Sequence, residues 1–544
     1  MQTQIHQTDV LIIGGGIAGI TTALELLDDD KKMMLIDCDS EENFGGLAKE
    51  SFGGMFFVDS PQQRKSGIKD SREQALEDWY STAQFEAGDK WPKAWAKHYV
   101  YNCTQYVQKW LSDKKIKFFP VVHWVERGFK KQGNSVPRFH MVWGTGFELI
   151  RVLVNDLKNH PKAATNLTLK FGYKVENLLF DGTKVQGVSG VIDKSGQPFE
   201  IKAKTTVVAA GGMGGSIEKV KQHWYQPWGD PPKRLLNGLK PTIDGSMIDA
   251  VGKIDGNIAH LDLMWHYAAG IHHPRPEFEG QGLSMVPPKS ALWLNYKGER
   301  IGPDPLVTGY DTRFLVSQVV KQKKKYSWQV LNMKIALKEF AISGAEFNPA
   351  IRDKKILKFL LTILFGNKDL VNDMIDNCID FVTAYSIEEL VKKMNALEGT
   401  DDVDVEILKK EINDYDAEID KGKEKFTDGQ LLHIAKAREY KGDKARTCKF
   451  QKINDPKAMP LIAIREFIIT RKTLGGVQTD LQCRVLQTDQ KTPINGLYAV
   501  GESAGFGGGG MHGKGTLEGT FLGGCVLTGR IAAAGISEKK LVRD

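Results

Sequence analysis

An α/β fold is the class this 544-residue sequence predicts, and three features predict it. A short apolar strand at residues 10–13 runs into a glycine turn and then an amphipathic helix. A second apolar strand at 33–36 follows at the distance a parallel strand–helix–strand unit needs. Near the other end, residues 496–504 (GLYAVGESA) read as one more strand closing on glycine, just before residues 505–524, ten of which are glycine.

The first turn is chemically the most specific of these. Residues 9–27 read DVLIIGGGIAGITTALELL. The spacing Gly14-x-Gly16-x-x-Gly19, with a strand before it and a helix after it, is the context a dinucleotide-binding turn requires. Gly14 permits the tight turn, Gly16 lets main chain approach a pyrophosphate, and Gly19 lets helix and strand pack closely. The helix N-terminus, with Ile17 and Ala18, faces the phosphate charge. Asp37 ends the second strand 18 residues beyond Gly19. That is near the roughly 20 expected for the acid that holds the ribose hydroxyls, and Cys38 beside it joins the same contact set.

Composition sets the outer bounds. With 41% hydrophobic and 26% charged residues the chain is an ordinary globular one, long enough for two substantial domains. A net charge of +7 is modest for this length and gives no reason to expect nucleic acid. The six cysteines form no CxxC pair, so neither a metal site nor a disulfide framework is expected. The sequence has no basic leader and no run of about 18 uncharged apolar residues, so the expected setting is cytoplasmic and reduced, with no transmembrane segment.

Further segments carry a resemblance. Residues 42–54 (ENFGGLAKESFGG) hold two pairs, Gly45-Gly46 and Gly53-Gly54, that resemble the segment flavoproteins set against FAD, with Leu47 and Ser51 between them. Residues 205–215 (TTVVAAGGMGG) read as a strand ending in Ala210-Gly211-Gly212, similar to the strand that returns to FAD in such proteins. Read as a nicotinamide site the same stretch fails, because Ile217 stands where glycine or alanine is needed. Gly501-Glu502 resembles the flavoprotein GLYAAGE turn. Together with Asp244-Gly245, LWLNYKGER (292–300) and TLGGVQTD (473–480), these segments resemble the fumarate reductase/succinate dehydrogenase flavoprotein superfamily. The nearest likeness is to its FAD-binding dehydrogenase, or 3-ketosteroid dehydrogenase-like, group, whose long signatures match 51–71 and 134–146.

The resemblance implies an α+β protein overall. A Rossmann-like FAD-binding domain is split over 1–262 and 455–544, and an α+β capping domain is inserted at 263–454. The lysine-rich, helical-looking middle of the chain agrees with that division. It implies FAD contacts at Val175, Thr520, Phe521 and Leu522 as well, with a helix from 520 to 530 and the glycine loop lying against the isoalloxazine ring. Members with covalent flavin carry a histidine where Leu47 stands, so FAD is expected to be non-covalent. The histidine and arginine that hold a dicarboxylate in fumarate reductases fall on Lys472 and Thr516, and the proton relay falls on Ser284 and Pro287. A carboxylate needs a fork of donors, so succinate and fumarate are not the expected substrates. The tyrosine that ketosteroid Δ1-dehydrogenases carry in the last glycine loop falls near Gly515 and is missing.

What remains is an FAD-dependent oxidoreductase expected to act on a CH–CH bond beside a carbonyl, on a steroid-like or other apolar ketone. The alternatives are an enone reductase and a non-catalytic flavin-bound redox sensor. Such chemistry needs a base for the proton and donors for the carbonyl oxygen. The candidates, in order, are Tyr267, His266, Lys472 and Glu518. His123, Trp124 and Tyr310 are candidate substrate contacts, and Arg313 ranks lower. His512 reads as support for the loop. An electron acceptor is required and is not identified. Two surface stretches, 321–328 (KQKKKYSW) and 356–365 (ILKFLLTILF), read as a solvated helix face and a buried helix, with contact to an anionic membrane as the alternative for both.

Overall fold

The computed structural model describes residues 2–29 and 31–541. The chain folds into two compact units. One comprises Met1–Tyr225, Leu239–Trp265 and Lys472–Asp544, the other Gln226–Gly238 and His266–Arg471.

The first unit is built on a sheet whose strands run Arg484–Leu486, Pro493–Ala499, Gln197–Val208, Gln4–Ile13, Met33–Asp37 and Leu167–Phe171 in spatial order. All neighbours are parallel except the first pair. Register is what positions the site. Ile13 stands beside Ile36 and Val208, and Val208 stands beside Ala499. Four strands therefore end at one edge, where Gly14, Ala209 and Val500 follow three of them and Asp37 ends the fourth. Ligands of α/β sheets bind outside this carboxyl edge. The first strand starts at Gln4, six residues before the apolar run begins, because Gln4–Thr8 pair in register with Phe199–Ala203. The last helix, Thr520–Ile536, extends beyond residue 530 and packs on Ile17–Leu26. A side chain on Gly529 would come within 2.7 Å of the Ala18 carbonyl oxygen, so glycine permits that close crossing.

The two long signature segments meet in this unit. Gly54–Phe56 pairs with Phe139–Met141, and Ser60 Oγ lies 2.7 Å from His140 Nε2. Arg138, fully buried, donates from Nε and Nη2 to Asp70 at 2.8–3.1 Å and from Nη1 to Asp78 at 2.5 Å. Both carboxylates are fully buried too. Removing the cation strands two buried acids, so Arg138→Met is expected to destabilise the protein by about 3–5 kcal/mol. Urea unfolding followed by tryptophan fluorescence reads this, and a midpoint equal to wild type would refute it.

The second unit holds a mixed sheet in the order Leu292–Leu294, Tyr326–Asn332, Leu461–Thr473, Met264–His272, Gly282–Val286 and Ala341–Ile342. Its helices include Ile387–Glu398 and Val405–Asp420, the second capped by Asp404, which accepts from the Glu406 and Ile407 amides. Two expectations are corrected here. Residues 321–325 are not a helix face but a turn after helix Thr312–Val320, and Tyr326 opens a fully buried strand. Residues 356–365 do form a helix, but it buries none of its side chains. Its apolar composition matched a core helix, yet no element of the described chain covers its outer side.

Candidate cofactor and active site

The glycines at the carboxyl edge of the first unit divide into two kinds. Gly14 (φ +107°) and Gly19 are structural. A side-chain carbon on Gly14 would come within 2.3 Å of the Ala209 carbonyl oxygen, and one on Gly19 within 2.0 Å of the Gly14 carbonyl oxygen. Gly16 is different. Its backbone is extended (φ −74°, ψ 178°), and a side chain there would meet no atom within 4 Å. A side-chain carbon on Gly46 would stand 3.6 Å from Gly16 Cα and meet nothing closer, and one on Gly211 would meet only Ile243, at 3.4 Å. Gly45 is held to Gly15 by its amide and excludes a side chain through Ile150. Gly53 and Gly54 make room for Gly146 and Phe139. Glycine at 16, 46 and 211, beside the strand ends, thus leaves a gap that no side chain of the described residues fills.

That gap has the electrostatics of an anion cradle. Helix Ile17–Leu26 has Gly16 as its cap residue with no side-chain cap, so the amides at Ile17, Ala18 and Gly19 start the helix beside open space. Asp37, at the end of its strand, accepts from the Gly15 amide at 2.5 Å and the Asp39 amide at 2.8 Å. Burial pushes its carboxyl above the usual range, while those two N–H bonds pull it back. The remaining lone pairs can accept ribose hydroxyls. Burial, with Asp37 and Asp39 nearby, pushes the Cys38 thiol up to about 12, so it stays a thiol. Leu47 opens the short helix Leu47–Glu50, and Ser51 ends it with its hydroxyl on the Ala48 carbonyl. Val175 is in the sheet core with Ile13 and Ile36. An uncapped helix start, an acid at the next strand end and an unfilled glycine-lined gap fit a dinucleotide such as FAD.

Three distant segments are tied together beside it. Glu502 Oε1 accepts from the Thr473 amide at 2.8 Å, Thr473 Oγ1 accepts from the Met213 amide at 2.9 Å, and Ser503 Oγ donates to the Gly211 carbonyl at 2.9 Å. Gly212 is glycine because Thr473 Oγ1 and Glu502 Oε1 occupy its side-chain direction, 2.4 and 2.5 Å away. Gly501 (φ +61°) makes room for Ala18. Sequence reading picked out Glu502 but not Thr473 or Ser503; their only signal was adjacency to the glycine motifs.

The glycine loop is packed closely on one side. Its glycines do not face a vacant surface on their side-chain side. A side chain on Gly507 would meet the Trp95 ring at 2.6 Å, on Gly508 the Trp91 backbone at 2.7 Å, on Gly513 the Ala83 carbonyl at 2.4 Å, and on Gly523 the Tyr99 hydroxyl at 1.9 Å. Helices Arg72–Ala83 and Lys90–Asn102 supply this wall, and Trp79 Nε1 donates to the Met511 carbonyl at 2.9 Å. His512 Nε2 is 2.8 Å from Thr520 Oγ1, and its ring stacks on Trp79. Burial pushes His512 down to about 3, so it is neutral and braces the loop. Helix Thr520–Ile536 again has a glycine cap residue, Gly519, without a side-chain cap; Thr520 and Phe521 are buried and Leu522 is half-buried.

The candidate reactive groups lie as follows. In the first unit, Trp265 Nε1 donates to Glu518 Oε1 at 2.7 Å, and Lys472 Nζ sits 4.8 Å from the centre of the Phe521 ring. Lys472 and Glu518 are both half-buried. His123 bridges Phe139 through main chain, and the Trp124 indole N–H donates to the Asn134 carbonyl at 2.6 Å, so that donor is already used. In the second unit, His266 and Tyr267 are neighbours on strand Met264–His272, on opposite faces. Burial, then Arg313, pushes His266 down to about 3. Tyr267 is half-buried, whereas Met264–His266 and 268–271 are buried. The Tyr310 hydroxyl donates to the His433 carbonyl at 2.7 Å.

This fold, with its cradle at the sheet edge, defines a dinucleotide-dependent oxidoreductase. The FAD binding domain family matches residues 9–522, and the chain belongs to it. FAD is therefore its cofactor, and the protein is an FAD-dependent oxidoreductase. It is similar to a KsdD-like steroid dehydrogenase of Mycobacterium tuberculosis, 41% identical over 551 residues, covering 97% of this chain and 96% of that protein. A KsdD-like steroid dehydrogenase of Mycolicibacterium smegmatis is 39% identical, covering 94% and 96%. The solved 3-ketosteroid Δ1-dehydrogenase of Sterolibacterium denitrificans has the same fold, with a TM-score of 0.68 at 16% identity, covering 98% and 100%.

Proposed function

We propose that this protein dehydrogenates a steroid-like or other apolar ketone, removing hydrogen from the CH–CH bond beside the carbonyl, with FAD bound non-covalently. The near-full-length identity to KsdD-like steroid dehydrogenases carries this reading. When bound, FAD supplies the hydride acceptor. The open positions at Gly16, Gly46 and Gly211 would hold its diphosphate and adjoining groups, Asp37 its ribose, and Glu502 with Thr473 would fix the strand ends beside it. The main-chain face of the glycine loop, opposite its indole wall, and the uncapped amides of Thr520–Leu522 would lie toward the ring. Leu47 has no nucleophile with which to link a flavin.

The substrate loses a proton from one carbon and a hydride from its neighbour, and a C=C bond forms between them. Tyr267 is our first choice for the proton transfer, because it is half-buried between buried neighbours on its strand and so keeps some surface open to a substrate. His266 ranks below it, since a base held down to about 3 takes a proton poorly at neutral pH. Lys472 is the candidate donor to the carbonyl oxygen, and Glu518, already bonded to Trp265, its counter-charge. A separate electron acceptor must reoxidise the cofactor. The unpaired cysteines fit a reducing cytoplasmic setting.

Steady-state assays of saturated 3-ketosteroids and simpler cyclic ketones with an artificial electron acceptor test the reading. Turnover of a saturated ketone to its enone is expected. Reoxidation of photoreduced holoprotein by enones, with no ketone oxidised, would instead make the enzyme a C=C reductase.

A further inference from the structure

Helix Ile356–Phe365 is alone among the described helices of eight or more residues in burying no side chain. Ile356, Leu357, Leu360, Leu361, Leu364 and Phe365 are 47–77% exposed, six of the fourteen exposed large hydrophobic residues described in the whole chain. Their concentration on one ten-residue helix makes a patch, which single exposed leucines do not. The other side of the helix is not packed solidly either. Phe359, Thr362 and Ile363 line a cavity of about 350 Å³ shared with Leu337, Phe340 and Leu370, all in the second unit.

Charge says what can cover this patch. Residues 352–369 carry five cations (Arg352, Lys354, Lys355, Lys358 and Lys368) against two carboxylates, Asp353 and Asp369. Asp353 pairs with Arg352 and Lys355, and Asp369 pairs with Lys358, so a surplus of three positive charges borders the apolar face. Two copies of this chain meeting through the patch would bring those like charges together. A bilayer with anionic headgroups matches both features. Ten residues make a helix about 15 Å long, half of the roughly 30 Å hydrocarbon thickness, so it can lie in the interface but cannot span. Among the described residues no helix is long and apolar enough to cross a membrane.

We propose that helix 356–365 docks the protein on an anionic phospholipid bilayer, its leucines and Phe365 entering the acyl boundary and its lysines meeting the headgroup phosphates. Apolar ketones partition into such a bilayer, so docking brings the enzyme to its substrate. That benefit rests on the function proposed above; the docking does not.

Sedimentation of the holoprotein with sucrose-loaded vesicles tests this, using phosphatidylcholine alone and phosphatidylcholine mixed with phosphatidylglycerol. The wild type is expected to bind the mixed vesicles at least about tenfold more strongly than Leu357→Glu/Leu361→Glu/Leu364→Glu, whose FAD absorbance and melting temperature stay unchanged. Lys354→Glu/Lys355→Glu/Lys358→Glu is expected to lose the preference for anionic vesicles. Wild type that stays in the supernatant, or a leucine variant that binds equally, overturns the proposal. A micromolar dimer in light scattering that the leucine variant converts to monomer, without vesicle binding, assigns the patch to a second copy instead. These outcomes are independent of whether any ketone is turned over.

Discussion

Gly16→Val is expected to yield a folded, colourless protein. The backbone at Gly16 is extended, a conformation valine adopts freely, and among the described residues no atom beyond its own chain neighbours lies within 4 Å of the position its Cβ would take. The new side chain fills the gap in front of the helix amides instead, where a diphosphate has to sit. Titration of apoprotein with FAD, followed by flavin fluorescence, is expected to show affinity lowered by about 100-fold or more. That is about 2.7 kcal/mol or more, what losing two or three charge-assisted hydrogen bonds costs. The melting temperature of the apoprotein is expected to stay near wild type. Gly19→Ala is the contrast. Its Cβ would stand 2.0 Å from the Gly14 carbonyl oxygen, so helix and strand must separate, and apoprotein stability falls by about 1–3 kcal/mol. Unaltered FAD affinity in Gly16→Val would refute the assignment of this gap to the cofactor.

Tyr267→Phe is expected to lower turnover of a working substrate by about 100-fold or more while leaving the flavin spectrum and melting temperature unchanged. The change removes one oxygen from a half-buried residue and leaves the strand's apolar packing intact. A substrate KM near wild type alongside the fall in kcat would mark a group that acts in the chemical step. Turnover within about threefold of wild type would remove Tyr267 from the chemistry. His266→Asn is expected to act mainly on stability, because His266 is buried and neutral in the strand.

The sequence by itself determined the cofactor end of the molecule. Gly14, Gly16, Gly19 and Asp37 were legible because their requirements are local: a turn, an approach, a helix start and an acid at the next strand end. The expectation of FAD came differently, from the resemblance of short glycine segments, 42–54 and 205–215 among them, to those of flavoproteins. Within that set, however, only the folded chain separated the glycines that make room for protein from the three that face the gap. Gly14 and Gly16 look alike in a sequence and differ by what the strand ending at Val208 brings beside them.

Other points were decided wholly by tertiary packing. The glycine loop read as a surface for a flat ring, and the folded chain adds that its side-chain face is filled by Trp91, Trp95, Ala83 and Tyr99, more than 400 residues away in the chain. The two signature segments read as family marks, and the structure makes them one bracket around Arg138, Asp70 and Asp78. Residues 356–365 have the composition of a core helix, and nothing within those ten residues records that the other described residues leave them uncovered. Local stereochemistry is written in a few adjacent residues, whereas burial depends on which distant surface arrives to complete the contact.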